Sequence, residues 1–173
     1  MNATASQLWQ AIQQHAMNLH SCTVGQLNLI DGATSEHFIQ LEQKLGVTLP
    51  EPMKQLHSVH DGQEETMEVQ VLLRNLTFLS VEQIMETWQF LQEEFDTDGW
   101  EPEAGKGVKP FLWNRRWIPF ATNGAGDYVC IDTDPADDGV HGQVLYFWHD
   151  WESRTVEAED VFQFIELCLQ EED

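Results

Sequence analysis

Short apolar segments bounded by turn-forming residues constrain the fold of this chain more than any other feature. They read FLWNRRWIPFA, DYVCID and GQVLYFW, and a shorter one lies near residues 155–156. The glycine, asparagine and aspartate residues between them are typical of turns that join neighbouring strands. This pattern predicts a run of antiparallel strands in the second half of the chain.

Helical patterns dominate the rest of the sequence. Ser80 with Gln83 forms a capping box, Gly46 is suited to end a helix, and a proline at position 50 or 52 is suited to begin one. Helices are predicted near residues 6–19, 34–45, 50–60, 81–95 and 159–169, and short strands at residues 67–71 and 76–79. Because helices come first, strands follow and a helix closes the chain, without βαβ alternation, the predicted class is α+β.

The net charge limits the kinds of partner that this chain can bind. It has 8 Lys and Arg against 30 Asp and Glu, a formal net charge of −22. Nucleic-acid binding needs cationic side chains that displace counterions from phosphates, so direct binding to DNA or RNA is not expected, nor is docking on an anionic membrane. The charge favours a protein partner with a basic surface; alternatively, it only maintains solubility.

Length and cysteine usage indicate one domain in a reducing compartment. The 173 residues favour a single domain with an N-terminal extension. Cys22, Cys130 and Cys168 are far apart and form no CxxC pair, so neither a zinc ribbon nor a thioredoxin-type motif is expected. The N-terminus lacks the basic region of a signal peptide, and no stretch approaches the ~20 apolar residues of a membrane span. We expect a cytoplasmic protein without a cofactor.

Aspartates are concentrated around the segment DYVCID. They are Asp127, Asp132, Asp134, Asp137 and Asp138. If Asp132 were the first residue of an EF-hand loop, Asp137 would stand where the glycine is needed and Gln143 where the bidentate glutamate is needed. Asp-Pro and Asp-Asp-Gly are also strong turn signals. Turns are therefore the favoured interpretation, and no metal site is predicted.

The same region has two features that could suggest a nucleotide-binding or catalytic site. The segment NGAGDY lacks the lysine and following helix of a phosphate loop and is better explained as a hairpin turn. A metal-dependent hydrolase could use Asp132, Asp134, His141 and His149, but no serine or cysteine lies beside them in a nucleophile motif. No catalytic residue is predicted, and the hydrolase remains the alternative from a different class.

An aromatic and cationic patch is a candidate for contact with a partner. Trp113, Arg115 and Arg116 could bind a peptide, a protein or a carbohydrate. In the structural alternative, the tryptophans pack in the core and the arginines pair with carboxylates; this is favoured for Trp117 and left open for Trp113. The predicted partner surface consists of Asp127, Asp134, Asp137 and Asp138, with Trp113, Arg115 and Arg116 at its rim.

Three segments in order resemble the SMI1/KNR4 family of the SUKH superfamily. They read LGVTLPEPMKQLHSVHDG, VKPFLWNRRWIPFATNGAGDYVCIDTDPADDGVHGQVLYFWHD and FQFIELCL, and the similarity spans residues 34–169. Each piece alone is weak, but the ordered set is specific. The chain has Asp61 before Gly62 where the family usually has asparagine, a conservative change for a turn. The predicted division is a helical extension at residues 1–33 and an SMI1/KNR4-like domain at residues 34–173.

The resemblance implies a central, mainly antiparallel sheet flanked by helices and a function without catalysis. Fungal members look like regulators linked to cell-wall synthesis, and many bacterial members look like immunity proteins that neutralise a toxin, often a nuclease. The leading hypothesis is a protein-binding immunity-type protein whose partner is a basic toxin domain. The second is a regulatory scaffold or small-ligand binder. The sequence leaves the oligomeric state unknown.

Overall fold

The computed structural model describes residues 3–95 and 102–171. Within these residues the chain forms five α-helices and seven strands. In chain order they are α1 (Ala5–His20), β1 (Leu29–Asp31), α2 (Ser35–Leu45), α3 (Glu51–Val59), β2 (His60–Gln63), β3 (Thr77–Phe78), α4 (Val81–Glu94), β4 (Trp117–Thr122), β5 (Tyr128–Asp132), β6 (Gln143–Phe147), β7 (Val156–Ala158) and α5 (Val161–Glu171).

The second half of the chain forms an antiparallel sheet of five strands. Strands β3 to β7 lie side by side in chain order, and every neighbouring pair is antiparallel. Strands β1 and β2 form a separate two-stranded sheet. The α+β class and the run of antiparallel strands are therefore confirmed.

Capping residues fix where the helices begin. Thr4, Thr34 and Ser80 cap α1, α2 and α4, respectively. In each case the hydroxyl accepts a hydrogen bond from the backbone amide of the third helical residue, and the side chain of that residue accepts one from the backbone amide of the cap. Each reciprocal pair satisfies two amides that the helix leaves unpaired. Helix α2 ends at Gly46, whose positive φ of 70° suits glycine. The predicted capping box at Ser80 and the stop at Gly46 are both confirmed.

The core joins the helices to the sheet through aromatic rings that pack edge to face. Helix α1 packs on α3 and α5, while α4 packs on β4. Trp9 of α1 meets Phe78 edge to face with ring centres 5.7 Å apart, and Phe120 meets both Phe78 and Phe164 in the same way. Such edge-to-face pairs add about 0.5–1.5 kcal/mol each to the stabilisation that comes from burial of the rings.

The division of the chain at residue 33 stays a prediction.

The Asp61–Gly62 pair positions the start of helix α4. The Asp61 carboxylate accepts the amide of Val81, the first residue of α4, at 2.8 Å. Gly62 has a positive φ of 65°, and a Cβ there would lie 2.5 Å from the carbonyl carbon of Leu79. Only glycine allows this approach without a backbone shift. The expected turn is thus part of β2, immediately after α3 ends.

The strand predicted at residues 67–71 is wrong, because this segment forms a turn and irregular chain. Its apolar residues alternate, yet Met67 is fully exposed and Val69 and Val71 are only partly buried. A strand gains stability from burying one face, and these side chains bury little. The strand in this part of the chain is β2, which pairs with β1 instead.

Gln63 covers the outer edge of β3 with its side chain. Its Oε1 accepts the amide of Phe78 at 2.9 Å, on the side of β3 that faces away from β4. Its Nε2 donates to the carbonyls of Leu27 and Gln70 at 2.9 and 2.8 Å. The Gln63 side chain therefore supplies an acceptor for the backbone N–H of Phe78, which would otherwise have no backbone partner.

None of the helices in the described residues combines the length and apolar character needed to cross a bilayer.

Candidate functional site

An open cleft of about 760 Å³ lies between the end of α4 and the segment that leads into β4. Three of the eight basic residues of the chain line it, together with aromatic side chains and two carboxylates. We call it the cationic cleft. Its charged and aromatic lining residues are Glu93, Phe95, Lys109, Phe111, Trp113, Arg115, Arg116 and Asp134.

Trp113 forms the floor of the cationic cleft rather than its rim. It is 2% exposed, its Nε1 donates to the Gln92 side chain at 2.6 Å, and its ring packs edge to face on Trp117. A side chain this buried offers little contact area to a partner. The expectation that Trp113 lies at the rim of a binding surface is therefore corrected, and the core interpretation of Trp117, which is fully buried, is confirmed.

Arg115 and Arg116 are exposed, and both support the local fold through their backbones. The Arg115 carbonyl accepts Trp88 Nε1 at 2.7 Å, and the Arg116 amide donates to the Asn114 side chain at 2.9 Å. Within residues 3–95 and 102–171, neither guanidinium makes a hydrogen bond or an ion pair. The backbone of both residues is thus anchored, while their side chains extend from an exposed surface, and the charge of Arg116 also acts on Asp134.

Asp134 is tied to the wall of the cleft. It accepts Lys109 Nζ at 2.6 Å and Asn114 Nδ2 at 3.0 Å. Partial burial acts to raise the pKa of Asp134, but the hydrogen bonds from Lys109 and Asn114, together with the charges of Lys109 and Arg116, hold the pKa below its ordinary value. Lys109 therefore forms an ion pair with Asp134, whereas Arg116 acts on this carboxylate through its charge without forming an ion pair.

Asp132 is a buried carboxylate that organises the turn after β5. It is fully buried and accepts Gln143 Nε2 at 2.9 Å and the Asp134 amide at 2.8 Å. Burial raises its pKa, and these hydrogen bonds act in the opposite direction. Its bonds bridge β5, β6 and the following turn, which is the structural role that the turn signals predicted.

Asp127, His149 and Asp150 cluster at the opposite end of β5. One ligand atom from each lies within 4.8 Å of the others, a grouping that could hold a cation. Asp127 already accepts the His149 amide at 3.0 Å and Asn123 Nδ2 at 2.9 Å, and His149 Nδ1 lies 2.8 Å from it. These contacts join the β4–β5 turn to the end of β6.

The structure does not bring His149 close to the aspartates of the hydrolase hypothesis. His149 lies beside Asp127 at the start of β5, whereas Asp132 ends that strand. Asp127 and Asp132 are five residues apart along an extended chain, which separates them by roughly 17 Å. Cys130 is also unsuited to nucleophilic chemistry, because burial raises the pKa of its thiol far above the ordinary value.

The remaining predicted residues, Asp137 and Asp138, are exposed in the β5–β6 turn. Asp138 accepts the Gly107 amide at 3.1 Å. A Cβ on Gly139 would lie 2.3 Å from the Gly107 carbonyl oxygen, so the two backbones are in close contact. The predicted surface residues therefore fall into three places, and their role in partner binding stays a prediction.

Sequence reasoning missed the part of the cleft that α4 supplies. Glu93 and Phe95, at the end of α4, precede Lys109, the first basic residue of the cleft, by more than a dozen residues, and only tertiary packing brings them together. The helical spacing that runs to Phe95 was the available signal, but it indicates a buried face and not a cleft wall.

Known proteins share the sequence features of this chain over most of its length. A model of the SMI1 / KNR4 family (SUKH-1) matches residues 32–167. "KNR4/SMI1 homolog 2" of Debaryomyces hansenii is 25% identical, covering 80% of this chain and 30% of that protein. "Cell wall biosynthesis/cell cycle regulator smi1" of Schizosaccharomyces pombe is 26% identical, covering 79% and 30%.

A third relative is longer as well. "Glucan synthesis regulatory protein" of Neurospora crassa is 22% identical, covering 94% of this chain and 37% of that protein. This chain thus spans about a third of the length of the curated relatives that it matches. The names of the relatives from S. pombe and N. crassa describe regulators. Since the family model covers well over half of the residues, the chain belongs to the SMI1/KNR4 family (SUKH-1).

Proposed function

We propose that this chain is a protein-binding domain that regulates its partner by occupying a surface and not by catalysis. The observation that carries the proposal is its membership of a family whose matched relatives are named as regulators of cell-wall and glucan synthesis. A regulatory role of this kind fits the matched region better than the immunity role does.

The state of the carboxylates supports a binding role. Asp132 and Asp134 accept hydrogen bonds from the protein itself, and Asp127 does the same at the other end of β5. A general acid or base must be within reach of a substrate proton, and these groups are occupied in holding turns. The exposed charges that remain are suited to recognition through electrostatic complementarity.

Cross-linking of the chain in the cells that produce it tests the proposal. We expect one protein to be captured in preference to all others and then to bind the purified chain with a defined stoichiometry in calorimetry. An unrelated protein of the same size and charge serves as the control. Capture that matches this acidic control, or catalytic turnover of the captured protein by the chain, would refute the proposal.

Neutralisation of a basic toxin is a second candidate function. The net charge of −22 favours it, because an acidic domain is attracted to the cationic surface that a nuclease uses to hold phosphates. Asp137 and Asp138 are exposed and would face such a partner.

Co-expression with a toxin encoded beside the gene tests this second function. Protection of growth, lost when Asp137 and Asp138 are both changed to Lys and kept when Lys44 and Lys54 are both changed to Glu, is the expected result. Absence of any protection by the unaltered chain would leave regulation as the supported function.

A further inference from the structure

We propose that the cationic cleft binds an acidic segment of a protein partner, a short stretch with several carboxylates beside an apolar side chain. This proposal rests on the protein-binding function proposed above and assigns a ligand class to one surface of the domain. The cleft would thus bind an acidic ligand, whereas the acidic surface of the rest of the molecule would bind basic partners.

Basic residues outnumber acidic residues inside the cleft. Lys109, Arg115 and Arg116 face two carboxylates, Glu93 and Asp134. Asp134 is bonded to Lys109 at 2.6 Å, so this pair is largely neutralised. Neither arginine guanidinium makes a hydrogen bond or an ion pair with a described residue, and Arg116 acts on Asp134 only through its charge, so both groups keep their donors for a ligand. Guanidinium groups bind carboxylates through paired hydrogen bonds, and this geometry favours carboxylate ligands.

The floor of the cleft adds an apolar contact. Phe111, which is 36% exposed, and Phe95, which is partly buried, line the cleft together with the buried ring of Trp113. Aromatic rings next to arginines are typical of the central positions of protein interfaces. A ligand with an apolar side chain between carboxylates would contact both features at once.

The net charge of −22 does not prevent such binding. At physiological salt the Debye length is about 8 Å, so charges on distant surfaces are mostly screened while the two arginines contact the ligand directly. A long polyanion such as nucleic acid would extend beyond the cleft over the acidic surface, and its repulsion would grow with length. The cleft therefore suits a short acidic segment of a protein.

The two arginines can be altered without removing bonds that hold the fold. Their structural bonds, to Trp88 and Asn114, are made by backbone atoms, and both side chains are exposed. Charge reversal at these positions therefore changes the surface and leaves the supporting bonds in place. This property makes the cleft accessible to a direct test.

Titration with a blocked peptide of sequence EELEE, followed by NMR, tests the proposal on the full chain. We expect saturable shifts of the Nε–H signals of Arg115, Arg116 and Trp113. The double variant Arg115→Glu/Arg116→Glu should bind at least about tenfold more weakly. The matched control, Lys44→Glu/Lys54→Glu, changes the net charge equally at positions that do not line the cleft and should bind like the unaltered chain.

Several outcomes would overturn the proposal. They are the absence of saturable shifts up to about 2 mM peptide, equal binding of a QQLQQ peptide, equal weakening by both double variants, and tighter binding of a single-stranded oligonucleotide at the same signals. A partner captured equally well by the Arg115→Glu/Arg116→Glu variant would overturn the assignment of the cleft and leave the proposed function standing. Peptide binding without any captured partner would refute the proposed function alone.

Discussion

Arg154 is a fully buried arginine whose guanidinium is surrounded by backbone carbonyls. It donates to the carbonyls of Leu112 at 2.8 and 3.1 Å, and to those of Trp151, Ser153 and Trp148 at 2.5, 3.0 and 3.3 Å. Burial lowers its pKa to about 10, so it remains charged at neutral pH. This single side chain connects the segment before β4, which carries the cationic cleft, to the chain after β6.

Changing Arg154 to Met should destabilise the protein by about 3 kcal/mol, because several buried carbonyls lose their donors at once. Urea unfolding followed by tryptophan fluorescence measures the loss. The control Arg115→Met alters an exposed side chain and should change the stability by no more than about 0.5 kcal/mol. Equal midpoints for the two variants would contradict the structural role of Arg154.

The contact between Asp127 and His149 makes the β4–β5 turn sensitive to pH. The hydrogen bond to Asp127 raises the pKa of His149 above its ordinary value. Partial burial acts to raise the pKa of Asp127, but its bonds to the His149 backbone and side chain lower it. The histidine contribution to stability is complete below its unfolded pKa and is lost as the pH rises through its folded pKa. The aspartate contribution is lost as the pH falls through its own folded pKa, so the pair is strongest between roughly pH 4 and 6.5.

Asp127→Asn should lower the pKa of His149. NMR titration of the His149 imidazole ring in both proteins measures this difference. The reason is that asparagine keeps a hydrogen-bond acceptor but carries no negative charge to favour the imidazolium. If the His149 titration midpoint stays the same in the variant, the carboxylate does not control this histidine.

At the level of the elements, the sequence predicted those whose signals are local. The capping box at Ser80, the stop at Gly46 and the strands around DYVCID were all predicted correctly, because each depends on neighbouring residues. Strand β2 reads HDGQ and lacks an apolar alternation, so only its pairing with β1 shows that it is a strand. The burial of Trp113 depends in the same way on α4, which supplies the Gln92 side chain that accepts the hydrogen bond from Trp113 Nε1.

Helix α1 should contribute strongly to the stability of the domain. Trp9 is 1% exposed, and its Nε1 donates to the Leu56 carbonyl of α3 at 2.8 Å. Trp9→Ala should cost about 3–5 kcal/mol, through a cavity and a lost hydrogen bond. Leu19→Ala, on the same helix with a half-exposed side chain, should cost much less.

Urea unfolding of the two α1 variants and of a chain lacking residues 1–33 gives the measurement. A destabilised Trp9→Ala protein would make α1 part of the folding unit, and a truncated chain without a cooperative transition would show the same for residues 1–33, which include β1. A truncated chain that unfolds with the same midpoint as the full chain would support the predicted division at residue 33 and contradict a stabilising role for Trp9.

At the level of the whole molecule, the net charge of −22 sets up repulsion across the folded surface. Salt screens this repulsion, so we expect the melting temperature to rise between low and physiological ionic strength. Calorimetry at several sodium chloride concentrations measures the effect. Glu64→Gln/Glu65→Gln, which removes two exposed charges, should melt higher at low salt and respond less to added salt. A melting temperature that falls as salt is added would mean that attractive ion pairs outweigh the repulsion.

The amide of Gln63 has a consequence for how this domain can exist inside a longer polypeptide. A bare strand edge recruits other extended chains and leads to sheet-to-sheet aggregation, a hazard that grows when several domains share one chain. Gln63 fills the hydrogen-bonding position beside Phe78 with a side chain that cannot propagate into another strand. The matched relatives are about three times as long as this chain, and a sheet whose first edge is closed by its own glutamine can be placed next to further segments without templating them.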